Sequence, residues 1–188
     1  MRGRIVYVMG ASGTGKDSLI REMRQRLRGL PVTIARRYIT RPHSDDGERH
    51  IAVSHEGFAK LSDRGHFALQ WSAHGCRYGI SLRTERALEH GISVIVNGSR
   101  TAFSQAARRY PDLLPVLVTA PSHLLRERLA RRGRESKAEL EERLSAASFD
   151  MPDDAASSWI LIDNSGPLAE AADVLERALR RALFMPSR

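Results

Sequence analysis

Residues Gly10 to Lys16 read G-x-x-x-x-G-K, a spacing whose glycines let several backbone N–H groups turn inward around a phosphate. The lysine that follows is expected to reach the β- and γ-phosphates of a nucleoside triphosphate. Gly10, Ala11, Ser12, Gly13, Thr14, Gly15, Lys16, Asp17 and Ser18 are therefore the candidate donor-binding residues. The motif asks for Ser or Thr directly after the lysine, to place a hydroxyl on Mg²⁺, and this chain has Asp17 followed by Ser18. Both carry oxygen suited to Mg²⁺. Asp17 has three readings that residue type alone does not separate: a metal ligand, a carboxylate that orients Lys16, or a first-turn acid facing the helix dipole.

A loop of this kind needs a strand before it and a helix after it. Ile5 to Met9 is an apolar run without alternation, as in a strand buried on both faces of a parallel sheet. Leu19, Ile20, Met23 and Leu27 recur at helical spacing, which predicts an amphipathic helix whose N-terminus favours an anion. Further strands are expected at Val32–Ala35, Ile92–Val96, Leu113–Thr119 and Trp159–Ile162. Helices are expected at Ser81–Glu89, Thr101–Arg109, Leu124–Arg132 (capped by Ser122), from the capping box at Ser136–Glu139 to about Ala147, and at Leu168–Leu183. Between Arg36 and Leu82 the text is rich in Arg, His, Gly and Ser, and predicts a small, partly β insertion with one weak helix from about His55 to Arg64. The alternation elsewhere implies an α/β fold with a parallel sheet covered on both faces and ligands at the carboxyl ends of the strands.

With 188 residues and 41% hydrophobic content the chain can bury one good core. Only five apolar residues stand between Arg4 and the glycine loop, too few for a signal-peptide core or a membrane span, so a cytoplasmic protein away from membranes is expected. Cys76 is the single cysteine, which excludes an intrachain disulfide and a thiol-rich zinc site. The net charge is +8, and lysine occurs only at positions 16, 60 and 137, so the basic residues are nearly all arginine. Guanidinium groups bind phosphate in bidentate fashion, which fits a small substrate bearing several phosphates. The arginines are spread along the chain with no aromatic-flanked basic tract, and nucleic acid is not the expected partner.

Thr40-Arg41-Pro42, Gly47-Glu48, Val53-Ser54, Phe58, Gly65, Phe67, Trp71, Tyr78-Gly79, Pro121-Ser122, Arg128-Leu129, Arg132-Gly133, Glu135-Ser136 and Arg143-Leu144 together resemble the guanylate kinase family over essentially the whole chain. That resemblance implies a P-loop kinase three-layer fold with a core at residues 1–35, 83–125 and 144–188. It also implies an acceptor-binding insertion at 36–82 and a helical lid at 126–143 whose Arg128, Arg132 and Arg143 close on the donor phosphates.

The departures narrow the resemblance. Gln70 stands where guanylate kinases carry a guanine-reading acid, Ile80 where they have Ser or Thr, and Val96-Asn97 where a base-reading strand ends in an acid. His43-Ser44-Asp45-Asp46 replaces a second phosphate-binding arginine, and His50 displaces a tyrosine. A pocket without those carboxylates is not expected to select GMP, because an unpaired buried guanine edge is costly. The runs Arg36-Arg37-Tyr38-Ile39-Thr40-Arg41-Pro42, Gly15-Lys16-Asp17-Ser18 and Phe67 through Ile80 look like the ribose 1,5-bisphosphate phosphokinases, a branch of the same superfamily associated with phosphonate breakdown. This implies ATP and Mg²⁺ as cofactors and transfer of the γ-phosphoryl group to the 1-phosphate of a phosphorylated sugar. Arg37, Arg41, Glu48, His50, Gln70, Trp71, His74, Tyr78 and Asn97 are the candidate acceptor contacts, and adenine is expected near Asn164. A nucleoside monophosphate kinase with relaxed base choice, a degenerate protein-binding module and an arginine-driven nucleic-acid binder are the competing readings; a homodimer stays open.

Overall fold

The structure is a computed structural model, and it describes residues 2–42, 50–132 and 159–185. These fall into two compact units, Met1–Tyr7 with Arg28–Leu113 and Val8–Leu27 with Leu114–Arg188. The boundary runs through strand β1, Ile5–Met9, all five of whose residues are buried. Burial of such side chains contributes roughly 1.5–3 kcal/mol each, which is why an unbroken apolar run makes a central strand.

In the first unit β2 (Val32–Ile34) pairs in parallel with β7 (Ser93–Asn97), which is the neighbour of β1. In the second, β8 (Leu114–Thr119) follows β1 and pairs in parallel with β9 (Ile160–Asp163). The result is the expected α/β architecture, a five-stranded parallel sheet in the order β2-β7-β1-β8-β9 with helices.

The first unit also holds a second sheet, in the order β4-β3-β6-β5. Its strands are β3 (Arg37–Ile39), β4 (Ile51–Ala52), β5 (Phe67–Ala73) and β6 (Cys76–Ser81). The β5–β6 hairpin closes on His74 and Gly75, with φ of 50° and 70°, between the paired residues Ala73 and Cys76. Two consecutive positive φ angles match the twist of the strands they join. Helix α2 (His55–Asp63) is capped by Ser54, whose hydroxyl accepts from the Gly57 N–H at 3.0 Å, and packs the fully buried Phe58 on Phe67 with centroids 4.6 Å apart.

The remaining helices of the first unit are α3 (Arg83–Glu89) and α4 (Phe103–Arg109). The helix expected from Ser81 starts two residues later, because Ser81 is still paired with Phe67 in the hairpin. Helix α5 (Ser122–Arg132) contains Ser122 instead of being preceded by it, and β9 begins one residue after Trp159. The helix expected from Ser136 lies outside the described residues.

In the second unit α1 (Lys16–Arg26) buries Leu19, Ile20 and Met23, and α6 (Leu168–Phe184) buries Ala171, Ala172, Leu175 and Leu179. Arg26 ties the two helices together through Asp173 and Glu176, and Arg180 donates both to Glu176 and to the carbonyl of Arg26. The Arg180 guanidinium, helped by Arg26 and against a small effect of desolvation, holds the Glu176 carboxyl below its usual range. Exposed pairs of this kind contribute little to stability, but they link α6 to the helix that follows the glycine loop.

Tyr7 is the one titratable side chain of β1, and burial pushes its phenol from 10.0 up to about 12, against the lowering effects of the Ser99 backbone and Arg37. A raised folded-state pKa gives stability that is fully present below the unfolded value and fades as pH rises through the folded one. Alkaline unfolding followed by circular dichroism between pH 10 and about 12 should therefore be steeper in the wild type than in Tyr7→Phe. Equal slopes would contradict this burial.

Candidate active site

The candidate donor residues from Gly10 to Ser18, and Asn164, lie in the second unit. Gly15 precedes α1 with φ 88°, and a Cβ at that position would overlap the side-chain amide nitrogen of Asn164. Lys16, the first helical residue, donates from Nζ to the carbonyls of Gly10 at 2.7 Å and Ala11 at 2.8 Å. Thr14 Oγ1 donates to Ala11 O at 2.9 Å, and the hydroxyl is buried with its residue. Asn164 Nδ2 donates to Thr14 O at 2.7 Å, while its own N–H donates to Thr119 O at 2.9 Å. Arg128 on α5 donates to Gly13 O at 3.4 Å and Asn164 O at 3.0 Å.

The carbonyls of Gly10, Ala11, Gly13 and Thr14 are thus each held by a donor, and this fixes the peptide planes of the loop. A loop fixed in this way at a helix N-terminus presents backbone N–H groups and a dipole to an anion without reorganising. Asp17 and Ser18 sit in the first turn of α1, both half-buried.

Asn164 is placed differently from the expectation that it meets adenine. Its side chain is 3% exposed and its amide is turned onto the glycine loop. Arg128 is likewise drawn onto loop carbonyls. Arg132 ends α5, and Arg143 lies outside the described residues together with most of the segment expected as a lid.

The acceptor candidates lie in the first unit. Trp71 on β5 and Tyr78 on β6 are directly paired across the hairpin, with rings stacked 5.4 Å apart at 4°. The Arg37 guanidinium lies 5.4 Å from the Tyr78 ring and donates to Asn97 O, at the end of β7, at 3.4 Å. Arg37, Tyr78, Trp71 and Asn97 are therefore brought together. This is a cation on an aromatic face at the carboxyl end of a parallel strand, where α/β folds bind ligands.

Other candidates do not join them. Gln70 neighbours Trp71 in sequence, but successive strand residues point to opposite faces, and its Oε1 accepts from Ser62 Oγ of α2 at 2.9 Å. His74 is exposed at the hairpin turn. His50 is fully buried, with Nε2 3.1 Å from Arg41 O, and so holds the chain at Arg41. Glu48 lies outside the described residues. Tyr7, which no sequence motif singles out, donates its hydroxyl to Ser99 O at 2.9 Å and accepts from Ser99 N–H at 3.1 Å. A polar atom in the middle of an otherwise apolar strand was the one signal for it.

A strand, a G-x-x-x-x-G-K loop and a helix on a parallel sheet define the P-loop kinase class. The fold is that of guanylate kinase: the enzyme from Anaplasma phagocytophilum superposes with a TM-score of 0.69 at 19% identity, covering 97% of this chain and 87% of that one. A profile described as an AAA domain matches residues 6–147. Among curated proteins the chain is 49% identical to ribose 1,5-bisphosphate phosphokinase PhnN of Desulfomicrobium baculatum, over 92% of this chain and 91% of that protein. It is 47% identical to the protein of the same name from Chromobacterium violaceum, over 95% and 94%. The chain belongs to the ribose 1,5-bisphosphate phosphokinase family. No helix among the described residues is long and apolar enough to cross a membrane.

Proposed function

We propose that this protein transfers the γ-phosphoryl group of ATP to the 1-phosphate of ribose 1,5-bisphosphate, giving 5-phosphoribosyl 1-diphosphate and ADP. The observation that carries the reading is near-full-length identity of 40–49% to proteins of that name, on a chain whose glycine loop is built for a nucleotide's phosphates. An oxygen of the acceptor phosphate attacks the γ-phosphorus, the new O–P bond forms, and the bond to the β,γ-bridging oxygen breaks with ADP leaving. The acceptor oxygen is already anionic at neutral pH, so the transfer needs positioning and positive charge more than a base.

Lys16 supplies one such charge at the β- and γ-phosphates. Arg128, Arg132 and Arg143 belong to a lid at residues 126–143 that supplies the others. Among the described residues no three His, Cys, Asp or Glu side chains are grouped to hold a metal. This suits Mg²⁺ carried mainly by phosphates and water, with Asp17 or Ser18 as the protein's oxygen contribution. Mg²⁺ there would neutralise charge developing on the phosphoryl oxygens.

Residues 36–82 form the acceptor half. Arg37 binds one acceptor phosphate, Arg41 with His50 behind it faces another, and Trp71, Tyr78 and Asn97 shape the space between. The β5–β6 hairpin and β7 contain no Asp or Glu, and Gln70 is turned to α2, so nothing there reads a guanine edge. Steady-state assays of ADP release should show turnover with ribose 1,5-bisphosphate and little with GMP or AMP; a preference for GMP would overturn the acceptor assignment. Arg37→Ala should raise KM for the sugar bisphosphate by about tenfold or more and leave KM for ATP within about twofold, since a charge-assisted phosphate contact is lost on one side only. Equal losses would remove Arg37 from the acceptor half.

A further inference from the structure

Tyr7 has no part in cradling a nucleotide, yet its phenol is tightly constrained. Its side chain is fully buried. The hydroxyl is used in both directions on one residue, donating to Ser99 O and accepting from Ser99 N–H. The ring lies flat against Gly98, where a Cβ would overlap ring carbons, and it also contacts Phe103, the first residue of α4, at a centroid distance of 5.9 Å. Ser99 in turn organises the loop between β7 and α4. Its carbonyl also accepts from Ala102 N–H at 3.2 Å, and its hydroxyl lies 2.7 Å from Thr101 Oγ1 and accepts from Thr101 N–H at 3.3 Å. One residue before Gly98 is Asn97, whose carbonyl receives Arg37.

We propose that Tyr7 is a positioning residue for the acceptor: its hydroxyl sets the Gly98–Thr101 loop and, through the adjoining Asn97 carbonyl, the guanidinium of Arg37. This rests on the assignment of Arg37 and Asn97 to the sugar bisphosphate made above. Filling space in the core does not require a hydroxyl, since phenylalanine has nearly the same shape and lacks only the two hydrogen bonds to Ser99. Tyr7 therefore acts by orienting a loop and touches no reacting atom. Its phenol, held protonated by burial, keeps that geometry throughout the neutral range.

Tyr7→Phe isolates the hydroxyl. Losing it leaves the Ser99 N–H in search of a partner, and KM for ribose 1,5-bisphosphate should rise about tenfold while KM for ATP and kcat stay within about threefold. Hydrogen exchange at the Ser99 and Arg100 amides should accelerate in the same variant, with Val94, Ile95 and Val96 of β7 still protected. Gly98→Ala, which pushes the loop off the ring and keeps the hydroxyl, should show the same split between the two KM values. A Tyr7→Phe enzyme with both KM values and the Ser99 exchange rate unchanged would overturn the proposal, as would an equal rise in both KM values. If the wild type ignores ribose 1,5-bisphosphate, the functional reading fails on its own, and the exchange rates still decide whether Tyr7 sets the loop.

Discussion

Lys16→Ala should abolish ADP release, lowering kcat by at least about a thousandfold, and leave the fold intact, because a preorganised cation on a transferring phosphoryl group is among the largest single contributions to such a reaction. The structure explains why loss of activity and loss of fold separate here. Lys16 is half-buried at the start of α1, and its ammonium donates to two carbonyls of the glycine loop, Gly10 O and Ala11 O. Its removal opens no cavity in the core formed by Leu19, Ile20 and Met23 on the buried face of the same helix. Circular dichroism and the thermal midpoint should therefore match the wild type, while turnover disappears. Retained turnover would sink the assignment of the glycine loop as the donor site.

Asn164→Asp should be strongly destabilising. It replaces a buried N–H donor, 2.7 Å from Thr14 O, by an oxygen that faces a carbonyl. An acceptor set against an acceptor at 3% exposure costs roughly 2–4 kcal/mol, more than the roughly 1–3 kcal/mol expected for Asn164→Ala, which merely leaves Thr14 O without its donor. Gly15 lies against the same amide, so the disturbance is delivered to the residue that starts α1. Denaturant unfolding should rank wild type, Ala and Asp in that order of stability, and KM for ATP should rise in the same order. An Asp variant as stable as the wild type would show that Asn164 does not hold the loop.

The parts of the fold that were legible are those in which a local pattern decides the outcome. The run Ile5–Met9, the glycine spacing and the 3–4 residue recurrence of Leu19, Ile20 and Met23 each specify an element without reference to the rest of the chain. The β5–β6 hairpin was not legible. Its turn is His74-Gly75 in place of the usual Asn-Gly or Asp-Gly, and Gln70, Ser72 and Arg77 break up the apolar text of its strands.

In the site, the residue types were legible and several of their partners were not. Gln70 and Trp71 are both expected as acceptor contacts, but strand alternation sends them to opposite faces, one to Ser62 and the other to Tyr78. Adenine is expected near Asn164, whereas the side-chain amide of that residue donates to Thr14 O, 150 residues earlier. His50 looked like a ligand for phosphate or sugar, and burial against Arg41 O gives it a structural task. Tyr7 illustrates the same limit. Its hydroxyl meets Ser99, 92 residues further on, and no local periodicity reports a pairing of that range.

The most direct measurement is the structure of the product. Wild-type protein with Mg-ATP and ribose 1,5-bisphosphate should give one equivalent of ADP per acceptor consumed, and phosphorus NMR of the sugar product should show two coupled signals of a diphosphate at C1 beside an unchanged 5-phosphate. A diphosphate at C5, or release of inorganic phosphate with the sugar bisphosphate unaltered, would contradict transfer to the 1-phosphate.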